Sequence, residues 1–177
     1  LSKEEATVNK LADGLKKIGF DYVFDTTFAA DLTIMEEGSE FLERLPEIKE
    51  SKLPMFTSCC PGWVRFMKTQ YPDMVTRLSS AKSPQQMFGA IAKSYYAKLL
   101  NVDSSKIFCV SIMPCTAKKH ECDIPNINAV ENGKDVDIVL TTREVARMFR
   151  AYHILGENLK DAPLDQPLGM HTGAGVI

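Results

Sequence analysis

The sequence predicts an α/β fold in which a mainly parallel sheet is flanked by helices. Strand-like and helix-like patterns alternate along its 177 residues, which favours parallel strands joined by helices. Residues 107–113 are almost all apolar, as expected for a parallel strand that is buried on both faces. The share of hydrophobic residues, 45%, and of charged residues, 25%, is typical of a globular domain. A chain of this length corresponds to one domain or to part of one.

Two helices and a short β-type run are predicted in the N-terminal part. Ser2 and Glu5 have the spacing of a capping box, and apolar residues follow at helical intervals until Gly19, a typical helix stop. Residues 22–24 form the β-type run, and residues 30–45 form the second helix. The apolar positions of this helix predict a buried stripe, which consists of Ile34, Met35, Phe41, Leu42 and Leu45.

Further strand and helix signals follow in the rest of the chain. Residues 54–57 are predicted as a strand, and Pro61 then stands at a favoured first position of a helix that runs over 63–70. The later signals are, in order, a helix start at Ser83 and Pro84, strands over 107–113 and 136–140, a helix cap at Thr141 to Glu144, and a loop rich in Pro and Gly from Gly156.

Charge and hydropathy exclude several classes of function. A net charge of -2 and a pI of about 6.0 argue against a strongly basic surface for nucleic acid. No run of about 18 apolar residues is present, so no membrane span is expected. The N-terminus has no signal-peptide pattern, which favours a cytoplasmic protein, or a periplasmic one if the signal lies on a missing part or a partner subunit. The first residue is not Met, and we therefore expect a longer parent protein.

The cysteines do not suggest a disulfide framework. Their number is odd and the chain is not a small secreted domain, which indicates a reducing compartment. Each is then a core residue, a metal ligand or a reactive thiol. Cys109 lies in a predicted strand and is expected in the core, whereas Cys122 is expected to be a surface or structural thiol. The full set is Cys59, Cys60, Cys109, Cys115 and Cys122.

Two cysteine sites follow predicted strands. Cys59 and Cys60 come after 54–57, and Cys115 comes after 107–113. Ligands of open α/β sheets bind beyond the carboxyl ends of the strands, so a shared ligand is one interpretation. Buried structural cysteines are the alternative. Zinc is disfavoured because no C-x-x-C pair is present.

The segments around these cysteines resemble a known family. TSCCPGW at 57–63 and MPCTAKK at 113–119 are similar to the first two cysteine signatures of the [FeFe]-hydrogenase catalytic domain. ADLTIMEE at 30–37 and SSAKSPQQ at 79–86 also resemble that family. The resemblance runs from about Gly19 to the C-terminus. It implies that residues 1–177 are a partial catalytic domain, one lobe of two, without the N-terminal segment and without the C-terminal part that carries the third cysteine signature.

The resemblance implies an H-cluster as the cofactor. In the family this is a [4Fe-4S] cubane joined through a cysteine to a diiron centre with CO, cyanide and a dithiolate bridge. Cys60 and Cys115 would ligate the cubane, which takes four thiolates in all. The ligand set in this chain is therefore incomplete, and we expect the chain on its own to be inactive.

The same resemblance assigns residues to the pocket around the diiron centre. Lys118 would donate a charge-assisted hydrogen bond to a cyanide. Pro84 and Gln85 would line the pocket, and Met113 would pack against the bridging region.

A proton relay is also implied by the resemblance. It would run from Cys59 through a water, Glu37 and Ser79 to Glu40, with Arg44 at the exit. The spacing i, i+3 and i, i+4 places Glu37, Glu40 and Arg44 on one face of the second helix. Burial would raise a carboxyl pKa towards neutrality, which suits a relay. The alternative is a solvated acidic face with an ordinary ion pair.

The intact protein is thus expected to be an enzyme, an [FeFe]-hydrogenase that reduces protons to H₂ reversibly. The expected partners are ferredoxin or another electron carrier, the hydrogenase maturation proteins and the remainder of the catalytic domain. Three alternatives stay open: a non-catalytic relative in iron–sulfur protein assembly, a sensory hydrogenase homologue, and a plain binding or structural domain with core cysteines.

Overall fold

The fold is mostly helical with a small parallel sheet. A computed structural model describes residues 6–46, 54–130 and 133–166. In these ranges the sheet has two strands, β1 (Val110–Met113) and β2 (Ile138–Thr141). They pair in parallel, with Val110 opposite Ile138 and Met113 opposite Thr141. The parallel direction agrees with the prediction, whereas the predicted larger sheet is wrong for the described residues.

Helices surround this pair of strands. A π-helical turn, Ala92–Tyr96, joins α4 to α5, so that residues 84–99 are continuously helical. None of the helices in the described ranges is long and apolar enough to cross a membrane. The helices are α1 (Val8–Ile18), α2 (Thr27–Arg44), α3 (Pro61–Gln70), α4 (Pro84–Ile91), α5 (Ala97–Leu99), α6 (Ala117–Glu121) and α7 (Thr142–Ala151).

Local capping signals determine where several helices begin and end. Ser83 caps α4 by accepting the Gln86 N–H, and Thr141 forms a full capping box with Glu144 at α7, so both predictions are confirmed. Gly19 ends α1 at a φ of 114°, a left-handed conformation that favours glycine.

The start of α1 differs from the prediction. Its N-cap is Thr7, whose hydroxyl accepts the N–H of Lys10. The predicted capping box at Ser2 to Glu5 lies outside the described residues.

Two predicted strands are not formed as strands. In residues 22–24 the backbone of Val23 is bonded to Asp165, and the rings of Tyr22 and Phe24 pack edge-on against Tyr96. Residues 54–57 contribute one isolated parallel bridge, between Phe56 and Leu78. Loop contacts thus replace the neighbouring strand that the β-type runs suggested.

The strands of the sheet are shorter than predicted. Of residues 107–113, the strand comprises Val110–Met113, and all four of its residues are half-buried rather than buried. The second strand begins at Ile138 instead of residue 136, and just before it the N–H of Cys109 donates to the side chain of Asp137 at 2.6 Å rather than to the backbone of the neighbouring strand.

The predicted apolar stripe of α2 is wrong. Met35 and Leu42 are 68% and 65% exposed, and the side that packs carries the small residues Ala29 and Thr33. Small residues permit a close approach to α4, where the Thr33 hydroxyl lies 3.3 Å from the Met87 sulfur. The large residues Ile34 and Phe41 are exposed as well, while Leu45 is half-buried.

A close contact between α4 and the chain before β2 sets the position of α4. A Cβ atom on Gly89 would lie 2.6 Å from the carbonyl oxygen of Asp135 and 2.7 Å from a methyl carbon of Val136. Val136 belongs to the buried core cluster with Cys122 and Val139. Glycine at position 89 therefore lets α4 approach the sheet closely.

We expect Gly89→Ala to destabilise the protein by about 1–3 kcal/mol, because the added methyl meets backbone that cannot move aside cheaply. Gly38→Ala is the matched control, since a Cβ there meets no atom within 4 Å and the change should stabilise α2 by about 0.5–1 kcal/mol. Thermal unfolding of the intact protein measures both. Equal melting temperatures for the two variants would contradict this account of the α4 contact.

Candidate active site

The two cysteine loops both present thiols to solvent. Cys60 is the N-cap of α3, and its sulfur accepts the N–H of Trp63 at 3.4 Å. Cys59 and Cys60 are exposed, and so is Cys115, which lies two residues before the start of α6. A sulfur at a helix N-terminus is in a position that favours negative charge. These three thiols are thus accessible for a ligand.

Lys118 connects the two loops. Its ammonium donates to the carbonyl oxygen of Cys59 at 2.7 Å, across a sequence separation of 59 residues. It also forms an ion pair with Glu121 at 2.9 Å, and its side chain is 13% exposed. Helices α3 and α6 pack against each other at the same place. The segment that carries Cys115 is therefore held beside the segment that carries Cys59 and Cys60.

Glu121 is a buried acceptor beneath Lys118. It is 3% exposed, and in addition to the Lys118 ammonium it accepts the Ser83 hydroxyl at 2.9 Å and the Gln85 amide at 3.3 Å. Glu121 is not among the site residues predicted from the sequence. The short helix α6 is not predicted either. The spacing Lys-x-x-Glu is the one signal that could have indicated the pair.

The side chain of Gln85 connects α4 to β1 and α6. It is buried, donates to the carbonyl oxygen of Lys118 at 3.2 Å and accepts the Ser111 hydroxyl at 2.9 Å. Pro84 is the first residue of α4 and is half-buried. Met113, the last residue of β1, packs against the core cluster that contains Cys122.

The outer residues of the predicted relay are in contact. The Ser79 hydroxyl donates to Glu40 at 2.6 Å, and Arg44 is paired with the other carboxylate oxygen. Arg44 also donates to the carbonyl oxygen of Leu78 at 2.9 Å. The backbone N–H of Ser80 donates to both oxygens of Glu40, at 3.1 and 3.0 Å. This is a specific cluster and not the freely solvated acidic face of the alternative interpretation.

The pKa of Glu40 is shifted in the direction opposite to the prediction. Burial raises the pKa, but hydrogen bonds from Ser79, Ser80 and Arg44 together outweigh burial and hold it below its ordinary value. The raised carboxyl pKa expected for the relay is therefore wrong for Glu40. The number of donors around the carboxylate, which the sequence did not reveal, is the physical reason.

Glu37 lies beside the loop that carries Cys59. Its carboxylate accepts the backbone N–H of Ser58 at 3.3 Å, and Ser58 immediately precedes Cys59. In the described ranges Glu37 makes no direct hydrogen bond to Cys59 or to Ser79. The structure thus brings Glu40, Ser79 and Arg44 together and leaves Glu37 next to the Cys59 loop.

The other two cysteines have a different environment. Burial raises the pKa of Cys109 to about 11, and burial also raises the pKa of Cys122. Cys122 is buried, so its expected surface position is wrong and a structural position is correct. Thiols of this kind stay protonated and unreactive.

Comparison with known proteins identifies the family. Residues 1–177 match the family model described as "Iron only hydrogenase large subunit, C-terminal domain". The chain belongs to this family. Members of the iron-only hydrogenase family bind the H-cluster, and one solved relative is an [FeFe]-hydrogenase whose H cluster contains a 2Fe subcluster.

Curated relatives of this iron-only hydrogenase domain include enzymes and assembly proteins. The NADP-reducing hydrogenase subunit HndD of Solidesulfovibrio fructosivorans is 54% identical over 176 residues, which cover 97% of this chain and 30% of that protein. Iron hydrogenase 1 of Clostridium pasteurianum is 45% identical over 95% of this chain and 29% of its own length. The cytosolic iron-sulfur assembly component 3 of Rattus norvegicus is 39% identical over 90% of this chain and 34% of its length.

Solved structures have the same fold. A variant of [FeFe]-hydrogenase HydA1 from Chlamydomonas reinhardtii superposes with a TM-score of 0.87 at 45% identity, over 100% of this chain and 44% of that one. The chain thus spans less than half the length of the relatives that it matches.

The donor set fits an iron–sulfur cofactor in kind. Exposed cysteine thiols are the ligands that Fe–S clusters use. Among the residues described, no group of three or more His, Cys, Asp or Glu side chains that could hold a metal ion converges. Cys60 and Cys115 are thus exposed thiols of the kind that can take part in such a ligand set.

The lowered pKa of Glu40 predicts a pH-dependent contribution to stability. The ionised carboxylate stabilises the fold above the unfolded-state pKa, and the contribution is lost as the pH falls through the lower folded-state pKa. We expect Glu40→Gln to cost about 1–2 kcal/mol at pH 7 and much less in acid. Melting temperatures of the intact protein between pH 7 and pH 3 measure this difference. The control is Glu36→Gln, an exposed position on α2. A difference in melting temperature between wild type and Glu40→Gln that does not change with pH would contradict the lowered pKa of Glu40.

Proposed function

We propose that the intact protein to which this chain belongs is an [FeFe]-hydrogenase that catalyses the reversible reduction of protons to H₂, with an H-cluster as cofactor. The observation that carries the proposal is the 2.7 Å hydrogen bond from Lys118 to the Cys59 carbonyl, which holds the two cysteine loops side by side. Identity of 54% to a hydrogenase subunit supports it. Residues 1–177 would form one lobe of the catalytic domain.

The cysteines have two roles in this proposal. Cys60 and Cys115 hold the cubane as thiolates, and the N–H of Trp63 donates to the Cys60 sulfur. Cys59 is not a ligand and instead carries a proton on its exposed thiol. The H-cluster, when bound, supplies the redox chemistry that interconverts protons and H₂.

The outer part of the relay can move protons by short hydrogen bonds. Ser79 donates its proton to Glu40 at 2.6 Å, and a hydroxyl that gives one proton can accept another on the same oxygen. Arg44 stabilises the ionised form of Glu40 at the outer end. The relay then continues through Glu37 and a water to Cys59. The contact between Glu37 and the N–H of Ser58 supports this direction, because it holds the carboxylate beside the Cys59 loop.

The pocket residues orient the cation and shape the cavity. Lys118 uses two of its three N–H donors on Cys59 and Glu121, which leaves one for an anionic cyanide ligand. Pro84 and Gln85, at the start of α4, would line the pocket, and Met113, at the end of β1, would pack against the bridging region.

The partners follow from the reaction. Ferredoxin or another carrier would supply the electrons, maturation proteins would build the diiron centre, and the remainder of the catalytic domain would supply the missing ligands. A role in iron–sulfur assembly is the rival, since relatives with assembly names are 37% and 39% identical to this chain. The higher identity to hydrogenases favours catalysis over assembly.

We expect Cys59→Ala to keep the iron content of the intact protein and to lose most of its H₂ production, because the thiol would transfer protons without binding iron. Cys60→Ala and Cys115→Ala should instead lose iron. Cys109→Ala is the control and should keep both, since its thiol is held protonated by burial. Iron analysis and gas chromatography measure the two properties, and wild-type turnover in Cys59→Ala would refute the proton-transfer role.

The relay assignment makes a separate prediction for α2. Glu37→Gln and Glu40→Gln should each lower turnover by about 10²-fold or more while the iron content is unchanged, because a neutral amide cannot carry the proton. Glu36→Gln on the same helix is exposed and serves as the control. Turnover in Glu40→Gln equal to that of the control would remove Glu40 from the route.

A further inference from the structure

The buried carboxylate of Glu121 has three donors, two from the start of α4 and one from its own helix, α6. Ser83 is the N-cap of α4, Gln85 lies in the first turn of α4, and Lys118 lies in α6. The three donor–acceptor distances are 2.9, 3.3 and 2.9 Å, and one oxygen, Oε2, accepts all three bonds. A carboxylate this well satisfied is fixed in place, since moving it would leave buried polar groups unpaired.

Lys118 has the longest side chain in this cluster. A lysine side chain has a flexible hydrocarbon stem and, when unpaired, extends its ammonium into water. In this structure the ammonium is held at two points, the Glu121 carboxylate below and the Cys59 carbonyl above. The neighbouring Lys119 pairs instead with Glu144, where both side chains are more than a third exposed.

We propose that Glu121 is the positioning residue that holds Lys118 between the two cysteine loops and aims its remaining N–H donor into the site. This inference rests on the proposed function only for the identity of the group that accepts the hydrogen bond from this N–H. Glu121 itself does not contact the cofactor in the proposal and acts through Lys118 alone. Ser83 and Gln85 of α4 fix the Glu121 carboxylate in place, and the carboxylate in turn orients the Lys118 ammonium.

The first test measures the reactivity of Lys118 in the intact protein without its cofactor. Acetic anhydride at limiting concentration labels free amines, and mass spectrometry gives the rates for Lys118 and Lys119. Glu121→Gln should raise the rate at Lys118 on the order of tenfold and leave Lys119 unchanged, because an ammonium released from its carboxylate swings into water. Glu144→Gln is the matched control, and should raise the rate at Lys119 alone.

An unchanged Lys118 rate in Glu121→Gln would overturn the proposal. If that variant does not fold, Glu121→Asp takes its place, since its carboxylate is shorter by one methylene and should hold the ammonium less firmly. A rise at Lys118 of about threefold is then expected. A rate at Lys118 equal to wild type in Glu121→Asp would overturn the proposal just as directly.

The second test uses the loaded protein and an infrared spectrum. Hydrogen bonding shifts the stretching frequency of a bound cyanide, so Glu121→Gln should move a cyanide band in the same direction as Lys118→Met, while Glu144→Gln leaves it in place. Bands that move in Lys118→Met and stay fixed in Glu121→Gln would overturn the positioning role and leave the proposed function intact. If the wild-type protein shows no cyanide band, the proposed function is contradicted. The labelling rates then still decide whether Glu121 positions Lys118.

Discussion

The interaction on which the site depends is the hydrogen bond from the Lys118 ammonium to the Cys59 carbonyl. It joins segments that are 59 residues apart in sequence, and both carry exposed thiols. A lysine that is only 13% exposed needs a compensating charge, and Glu121 provides it from a position that is itself buried. Moving one charge of a buried pair away leaves the other charge without a partner, which costs free energy. The Lys118–Glu121 pair is therefore expected to be rigid. A buried ion pair thus helps to hold the two cysteine loops side by side.

The rest of the fold holds that pair in position. Gly89 allows α4 to approach the chain before β2, and the same helix presents Ser83 and Gln85 to Glu121. Gln85 accepts a hydrogen bond from Ser111 on β1, so the sheet contributes one further point of attachment. On the other side of α4, helix α2 packs through small residues and keeps Glu37 and Glu40 on the side that faces the cysteine loop and Ser79. These contacts between distant segments place hydrogen-bond donors from helices and from a strand around the two cysteine loops.

Features with local causes could be predicted from the sequence, and features with tertiary causes could not. The caps at Ser83 and Thr141 follow from side chains within three residues of the helix start, and the cap at Gly19 follows from the backbone freedom of glycine; the structure has all three where the sequence indicates. The cysteine motifs were equally informative, since the family is confirmed over the whole chain. The stripe of α2 was wrong because close packing on α4 selects small residues. Glu121 was not predicted because two of its donors lie more than 30 residues away in sequence. The predicted direction of the pKa shift of Glu40 was wrong because its donors Ser79 and Ser80 lie on another segment.

We propose that these two loops together supply part of an iron–sulfur ligand set. Anomalous scattering at the iron absorption edge, recorded from crystals of the intact, matured protein, tests it most directly. We expect iron peaks within bonding distance of the sulfurs of Cys60 and Cys115, and none within bonding distance of the sulfur of Cys59. Iron bound elsewhere in the protein, with both of those sulfurs free, would contradict it.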